Sequence, residues 1–284
     1  MPTLAVFNGT ARLSTYLIPK ALKAGYDVRA IVRSTSRFYH KVDKHDQLSA
    51  HELRDVNDVE TLQSQLKGVD VLVLAAGIPL DEPTTLQQDM VHSCVAAIRA
   101  NIKDGSTPPS VLMLSSAPLS PLMDFEGTST EPNAKKANLM AKFLRYQMLV
   151  HEYDDQERAM RYLEKQSSWL KFQFILPGGI LDVSEPEEET VKWRLSTTEM
   201  AFDLVITYER LAGAMLGCID GGLEQGRYVV PIPTSKVKAG FGDMETARAN
   251  AWSWLKKAVV FPALKGGVMV GIGLVAGLVT ARSR

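Results

Sequence analysis

The chain has 284 residues, enough to bury a large core and to form one sizeable domain or one domain with a small lobe. Its 32 basic and 32 acidic residues cancel, and no basic tract points to nucleic acid as a partner. The two cysteines, Cys94 and Cys218, lack a CxxC spacing, which argues against a disulfide scaffold and a zinc knuckle, and no metal is expected.

The opening MPTLAVF runs straight into an apolar segment without a targeting peptide, so an intracellular, cytoplasmic setting is expected. Leu4 to Phe7 reads as a short buried strand bounded by Asn8-Gly9. A helix follows to Lys23, stopped by Gly25, and Val28 to Val32 reads as a second strand. Pro19 falls inside that helix and should bend it. Strand, turn, helix and strand within about 30 residues form a βαβ unit. A dinucleotide-binding turn of this kind carries glycines before a helix whose free N–H groups face a pyrophosphate.

Here the turn reads Asn8, Gly9, Thr10, Ala11, Arg12, Leu13, Ser14. It resembles the turn of the atypical and extended short-chain dehydrogenase/reductase group, the NmrA-like NAD(P)-binding relatives, whose pattern is G-x-x-G-x-x-G. Asn8, Ala11 and Ser14 stand where that pattern has its three glycines. Asn accepts a positive φ, and Ala and Ser keep the helix close to the strands. Two readings follow. Either residues Asn8 to Leu13 still hold a dinucleotide, or the chain binds no cofactor and the unit is an inherited scaffold.

The second strand ends in Arg33-Ser34-Thr35-Ser36-Arg37, without the acidic residue that holds the ribose hydroxyls of NAD. Arg33, Ser34 and Arg37 suit a 2′-phosphate instead, so NADP is the expected cofactor if either binds; a solvated basic loop is the alternative. Leu48 to Leu53 reads as a third strand, and the resemblance implies that the following Asp55 lies near the adenine. A helix over Asp58 to Leu66 is stopped by Gly68. Asp70 to Ala75, apolar on both faces, reads as a central parallel strand. Ala75, Ala76 and Gly77 are small where the resembled family runs its backbone beside the cofactor. A helix over Leu86 to Asn101 carries His92, read as structural, and Val111 to Leu114 reads as the next strand. Its end, Ser115-Ser116, falls where ligands gather in parallel sheets, and the resemblance implies a hydroxyl contact to the substrate oxygen.

Residues 117–133 read as an irregular connection, Ala134 to Leu149 as a helix, and Tyr153 to Lys165 as another. Short-chain reductases pair a Tyr with a Lys four residues on, both on one helix face. Tyr153 is followed by Glu157 at that spacing, Tyr146 by Val150 and Tyr162 by Gln166, so the pair is absent; Glu152 and Gln156 occupy the spacing one residue earlier. His151, Tyr153, Asp154, Asp155 and Glu157 form a candidate acid–base cluster, with Ser115, Ser116, Tyr153 and His151 as the catalytic set. The alternative is the charged face of a helix N-terminus.

Lys171 to Leu176 reads as a strand leading into Pro177-Gly178, which the resemblance places beside the nicotinamide. Asp182 to Glu189 reads as an acidic loop before a short helix near Val191, Phe202 to Thr207 as a late strand, Tyr208 to Cys218 as a helix and Gly226 to Pro231 as a closing strand. Trp169, Trp193 and Tyr208 read as core aromatics before pocket lining. From Ala258 to Thr280 a single charge, Lys265, interrupts an apolar tail with small residues at Gly267/Gly271 and Gly273/Gly277. Membrane anchoring or contact is one reading of residues 258–280, and a helix packed on the domain or self-associating is the other.

The expected fold class is α/β, a doubly wound parallel sheet (Rossmann) with a smaller C-terminal substrate lobe and an apolar C-terminal helix. The expected layout is an NAD(P)-binding domain over 1–180, lobe elements over 181–250 and the tail over 251–284. The expected function is an NADP-dependent oxidoreductase acting on a small to medium apolar carbonyl or enone. A non-redox isomerase or cyclase using the same cleft, and a nucleotide-sensing or scaffold protein, are the alternatives.

Overall fold

The computed structural model describes residues 1–75, 83–130, 134–137, 142, 145–146, 149–181, 193–198 and 205–233. The chain divides into two units, Met1–Ala239 and Gly240–Arg284, and the described residues all belong to the first.

The first half alternates strand and helix: β1 (Thr3–Phe7), α1 (Ser14–Lys23), β2 (Asp27–Val32), α2 (Thr35–Tyr39), β3 (Leu48–Glu52), α3 (Val59–Leu66), β4 (Val71–Leu74), α4 (Leu86–Lys103) and β5 (Ser110–Leu114). After a 3₁₀ turn at Ala117–Leu119 come β6 (Met123–Asp124), β7 (Lys135–Lys136), α5 (Val150–Glu164), β8 (Phe172–Ile175), β9 (Gly179–Leu181), β10 (Trp193–Ser196), β11 (Val205–Thr207), α6 (Tyr208–Asp220) and β12 (Arg227–Pro233). The main sheet has eight strands in the order β10-β12-β8-β5-β4-β1-β2-β3. All its pairs are parallel except β10 against β12.

Both faces of this sheet are covered, which is why its strands are apolar at successive positions. In β1, Leu4 and Val6 face a core shared with Leu17, Ile18 and Ala21 of α1 and Leu211 and Met215 of α6. Ala5 and Phe7 face the opposite core, with Leu62 and Leu66 of α3, Val91 and Cys94 of α4, and Met160 and Leu163 of α5. The connection from β1 leads to β2 on one side, while β4 lies on the other, so the chain reverses its direction of travel across the sheet at β1. The crevice beyond the carboxyl ends of strands at such a point is the ordinary ligand site of the fold.

Pro19 leaves α1 unbroken because it is exposed, where water can take up the carbonyl its ring leaves without a donor. The expected helix over 134–149 is corrected at its start: Lys135 and Lys136 pair in parallel with Met123 and Asp124. The expected closing strand does not stay within a lobe but extends the main sheet beside β8. A two-stranded sheet, β9 with β11, stands apart from it. The short helix near Val191 and the tail over 251–284 lie outside the described residues.

The expectation of membrane contact is corrected. Among the described residues no helix is long and apolar enough to cross a membrane. The membrane-associated localisation and the membrane partner expected from residues 258–280 are carried no further, and those residues lie outside the described ones.

Candidate functional site

The turn after β1 starts with Asn8 at φ +61°, the one non-glycine residue with positive φ among the described residues. Asn adopts this conformation at low cost, so the first glycine of the resembled pattern is replaced without loss of backbone shape. The carbonyl of Asn8 accepts hydrogen bonds from the Ala11 N–H at 2.8 Å and the Ser14 hydroxyl at 3.0 Å, which closes the turn onto the start of α1. Gly9 donates its N–H to the Ile31 carbonyl at 3.1 Å. A Cβ on Gly9 would lie 2.9 Å from the Cβ of Ala30 and 3.0 Å from a methyl of Val32. The indispensable glycine is therefore one residue after the position the pattern marks, and it serves the approach to β2. Gly9→Ala should destabilise the fold by about 1–3 kcal/mol, read as a lower urea midpoint at unchanged slope.

Helix α1 starts without a side-chain cap at Leu13. Among the described residues no hydrogen bond is made by the N–H of Thr10, Leu13 or Ser14. These N–H groups form an uncapped, positively polarised helix end. Ala11 is half-buried in the wall of the adjoining cleft, and the Arg12 guanidinium lies 5.9 Å from the centre of the Tyr16 ring. Tyr16 in turn stacks on Tyr208 of α6 with ring centres 6.4 Å apart.

Two adjoining clefts border this turn and share Asn8, Arg33 and Arg54 in their walls. The first, about 790 Å³, is lined by Thr10, Ala11 and the cations Arg12, Arg33, Arg37, Lys41 and Arg54, with Glu52 as its single carboxylate. Lys41 donates to the Thr10 carbonyl at 3.3 Å and Arg54 to Glu52 at 2.7 Å. The Arg54 hydrogen bond is the main reason the Glu52 carboxyl sits below its usual range. The second cleft, about 510 Å³, is an apolar slot walled by Phe7, Ile31, Val32, Leu53, Val56, Leu86 and Met90, with Asp55 at its edge. Asp55 accepts from the Asn57 N–H at 2.9 Å. A flat apolar slot beside a basic, amide-rich cleft matches the chemistry of an adenine joined to phosphates. The residues present thus fit a dinucleotide.

At the carboxyl end of β5, Ser115 is buried, and its N–H donates to the carbonyl of Ile175 at 2.9 Å; Ala117 donates likewise to Pro177 at 2.9 Å. The Pro177-Gly178 loop is thereby pinned beside the two serines. The serine hydroxyls both go to Gln156 of α5: Ser115 at 3.3 Å and Ser116 at 3.0 Å. Ser115 also contacts the sulfur of Met160 at 2.9 Å. Ala75 is buried at the end of β4, while Ala76 and Gly77 lie outside the described residues.

The acid–base cluster read from the sequence is dispersed by the helix. Asp155 turns away to cap α4, accepting from the N–H groups of Gln87 and Gln88 at 2.9 and 3.0 Å. Asp154 and Glu157 bind Arg145 at 2.7 and 2.8 Å. Tyr153 is buried with the Arg145 guanidinium 5.8 Å from its ring centre, and burial pushes its phenol up. His151 is exposed. No hydrogen bond joins Tyr153 or His151 to the two serines among the described residues. His92 packs on Tyr162, Trp169 on Arg99 and Tyr208 on Tyr16, so these aromatic rings hold elements together; the Trp193 side chain lies outside the described residues. Lys41 and Arg54, both in the basic cleft, carry no role in the sequence reading, and Glu152 and Gln156 of α5 enter it only at a spacing that lacks the Tyr–Lys pair.

A family model described as NAD(P)H-binding matches residues 9–221. Among curated proteins no sequence matches. Solved structures share the fold, three of which follow. The oxidoreductase ylbE from Lactococcus lactis is 16% identical with a TM-score of 0.60, over 88% of this chain and 97% of its own. A wide-type short-chain dehydrogenase/reductase from Veillonella parvula, solved in complex with NADP, is 13% identical with a TM-score of 0.60, over 82% and 95%. A Lactobacillus casei protein is 14% identical with a TM-score of 0.61, over 82% and 100%.

Proposed function

We propose that this chain, which belongs to the NAD(P)H-binding family and is NmrA-like within the short-chain dehydrogenase/reductase fold, is an oxidoreductase that prefers NADP and acts on a small to medium apolar carbonyl or enone. The observation that carries the cofactor reading is the charge of the cleft beside the β1–α1 turn. Five cations from the β1–α1 turn, the stretch from the end of β2 through α2, and the end of β3 line it, against Glu52 alone. Arg33 and Arg37 have no ion-pair partner among the described residues, and no carboxylate ends β2 to hold free ribose hydroxyls. A 2′-phosphate would supply the missing negative charge, with Arg as its bidentate partner.

The uncapped N–H groups of Thr10, Leu13 and Ser14 would face the pyrophosphate. Val32, Leu53 and Met90 would enclose the adenine, with Asp55 at its edge. When bound, the reduced cofactor supplies a hydride to an electrophilic carbon. Ser115 and Ser116 mark where the substrate oxygen would sit, opposite the Pro177-Gly178 loop. The chain beyond β5 also walls a further cleft of about 460 Å³, where Pro118, Leu119, Met123 and Phe125 stand among the charged Asp124, Glu126, Arg145 and Glu157.

Titrating the full chain with NADPH and with NADH, followed by nucleotide fluorescence, tests the cofactor reading. NADPH should bind tighter by about tenfold or more, a difference of roughly 1.4 kcal/mol. Loss of NADPH absorbance with a panel of apolar aldehydes, ketones and enones tests the reaction. Absence of binding by either nucleotide at millimolar concentration overturns the assignment.

A further inference from the structure

Four side chains from two elements meet at the carboxyl end of the sheet. The Gln156 carboxamide is engaged at both ends. Its oxygen accepts from Ser115 at 3.3 Å and Ser116 at 3.0 Å, and its nitrogen donates to Oε1 of Glu152 at 3.2 Å. The NH₂ group is directed at the carboxyl one helical turn away, which leaves the amide oxygen for the two hydroxyls. The second oxygen of Glu152, Oε2, accepts no hydrogen bond among the described residues. Glu152 is only partly exposed, while Gln156 and Ser115 are buried. The helix thus brings a carboxyl, hydrogen-bonded through one oxygen, to within one amide of the two serines at the strand end where ligands of this fold gather.

Resting on the reading above, we propose that Glu152 is the proton donor and acceptor of the site, positioned by Gln156 and, through it, by Ser115 and Ser116. In a carbonyl reduction the carbonyl carbon receives hydride from the bound nicotinamide, and the C=O π pair moves onto oxygen. That oxygen takes the proton of the Glu152 carboxylic acid, which leaves a carboxylate and an alcohol. Water returns the proton to Glu152, and the reverse reaction runs the same steps backwards.

Burial pushes the Glu152 carboxyl up to about 7, so both protonation states are populated near neutral pH, as an acid–base group requires. Its charged surroundings do not oppose this. Tyr153 is its neighbour on α5 and feels its charge, Arg145 lies against Tyr153, Asp89 of α4 acts on Asp155, and β5 offers only neutral hydroxyls. The raised value also has a sign for stability. The folded state holds the proton more tightly than the unfolded chain, so stability falls as pH rises from about 4.5 to about 7 and is level above. Glu152→Gln removes that fall and should gain thermal stability relative to wild type at alkaline pH compared with acid pH.

The test is the titration of Glu152 in the full chain, followed by NMR with ¹³C at the glutamate side-chain carboxyl. The resonance absent from Glu152→Gln identifies it. Free protein should show a midpoint well above ordinary glutamates, and Gln156→Leu should move it further up by removing a donor to the carboxylate. Bound NADP⁺ should lower the midpoint relative to bound NADPH, because the oxidised ring is positive and the reduced one neutral. A resonance that titrates identically with both nucleotides bound overturns the proposal and leaves the cofactor reading standing. Failure of either nucleotide to bind overturns both. Where a carbonyl of the panel is turned over, Glu152→Gln should lose kcat at least about a hundredfold with NADPH affinity kept, and retained kcat would likewise overturn it.

Discussion

Changing Arg33 and Arg37 together to alanine is expected to weaken NADPH binding on the order of 100-fold while NADH binding changes by less than about threefold. A hydrogen bond to a charged partner is worth roughly 1.5–3 kcal/mol. Both arginines are exposed, so the lower end applies, and two such losses give about 3 kcal/mol. Arg37 sits on α2, whose start is set by Ser34 accepting from the Arg37 N–H at 3.4 Å, so its backbone is fixed while its guanidinium is free to engage. Arg37→Lys should fall between, since it keeps the charge and loses the planar fork. The NADPH affinity of wild type should also decline with added salt more steeply than that of the double variant. Equal weakening of both nucleotides would mean that the cations hold the pyrophosphate or shape the loop, and the preference for a 2′-phosphate would have to be abandoned.

The strands and the βαβ unit were legible because their signals are local: apolar runs of four to six residues cut by Gly25, Gly68 and the Asn8-Gly9 pair. The turn was legible in shape, since Asn8 carries the positive φ expected of it, but the role of Gly9 was not. That role comes from Ala30 and Val32, residues on another strand. Lys41 and Arg54 escaped notice for the same reason, because they enter the basic cleft from the ends of α2 and β3 and no spacing connects them to Arg33. The Glu152–Gln156 pair was visible as an i, i+4 spacing and was read as uninformative. Its meaning comes from the two serines more than thirty residues earlier, which decide what the amide can do. The helix expected at Lys135–Lys136 failed where a two-residue strand is chosen by its partner and not by propensity. The charged run after His151 looked like one cluster because a sequence lists neighbours. A helix separates them by about 100° per residue, and Asp154, Asp155 and Gln156 end on three different partners.

Asp155 is where that separation has its largest consequence for stability, and Asp155→Ala is expected to cost about 2–4 kcal/mol. Helix α4 begins at Leu86 with Thr85 making no side-chain bond to its backbone, so the first-turn N–H groups need an outside acceptor. Asp155, fully buried, provides it from α5, with one oxygen for Gln87 and the other for Gln88. Alanine would take the acceptor from the buried Gln87 N–H and the part-buried Gln88 N–H and remove a carboxylate from a helix N-terminus. Asparagine keeps one acceptor oxygen and presents an NH₂ to the other donor, so it should lose at least half as much. The effect reaches the site as well. Leu86 and Met90, in the first turns of α4, wall the apolar slot, and α5 carries both Glu152 and Gln156. Asp155 is the bolt between the slot and the acid–base pair. Its loss should therefore lower the urea midpoint and also weaken NADPH binding several-fold under conditions where the protein is still folded. A variant that unfolds earlier but binds NADPH as wild type does would show that α4 keeps its place without the cap, and that the two halves of the cleft are set independently.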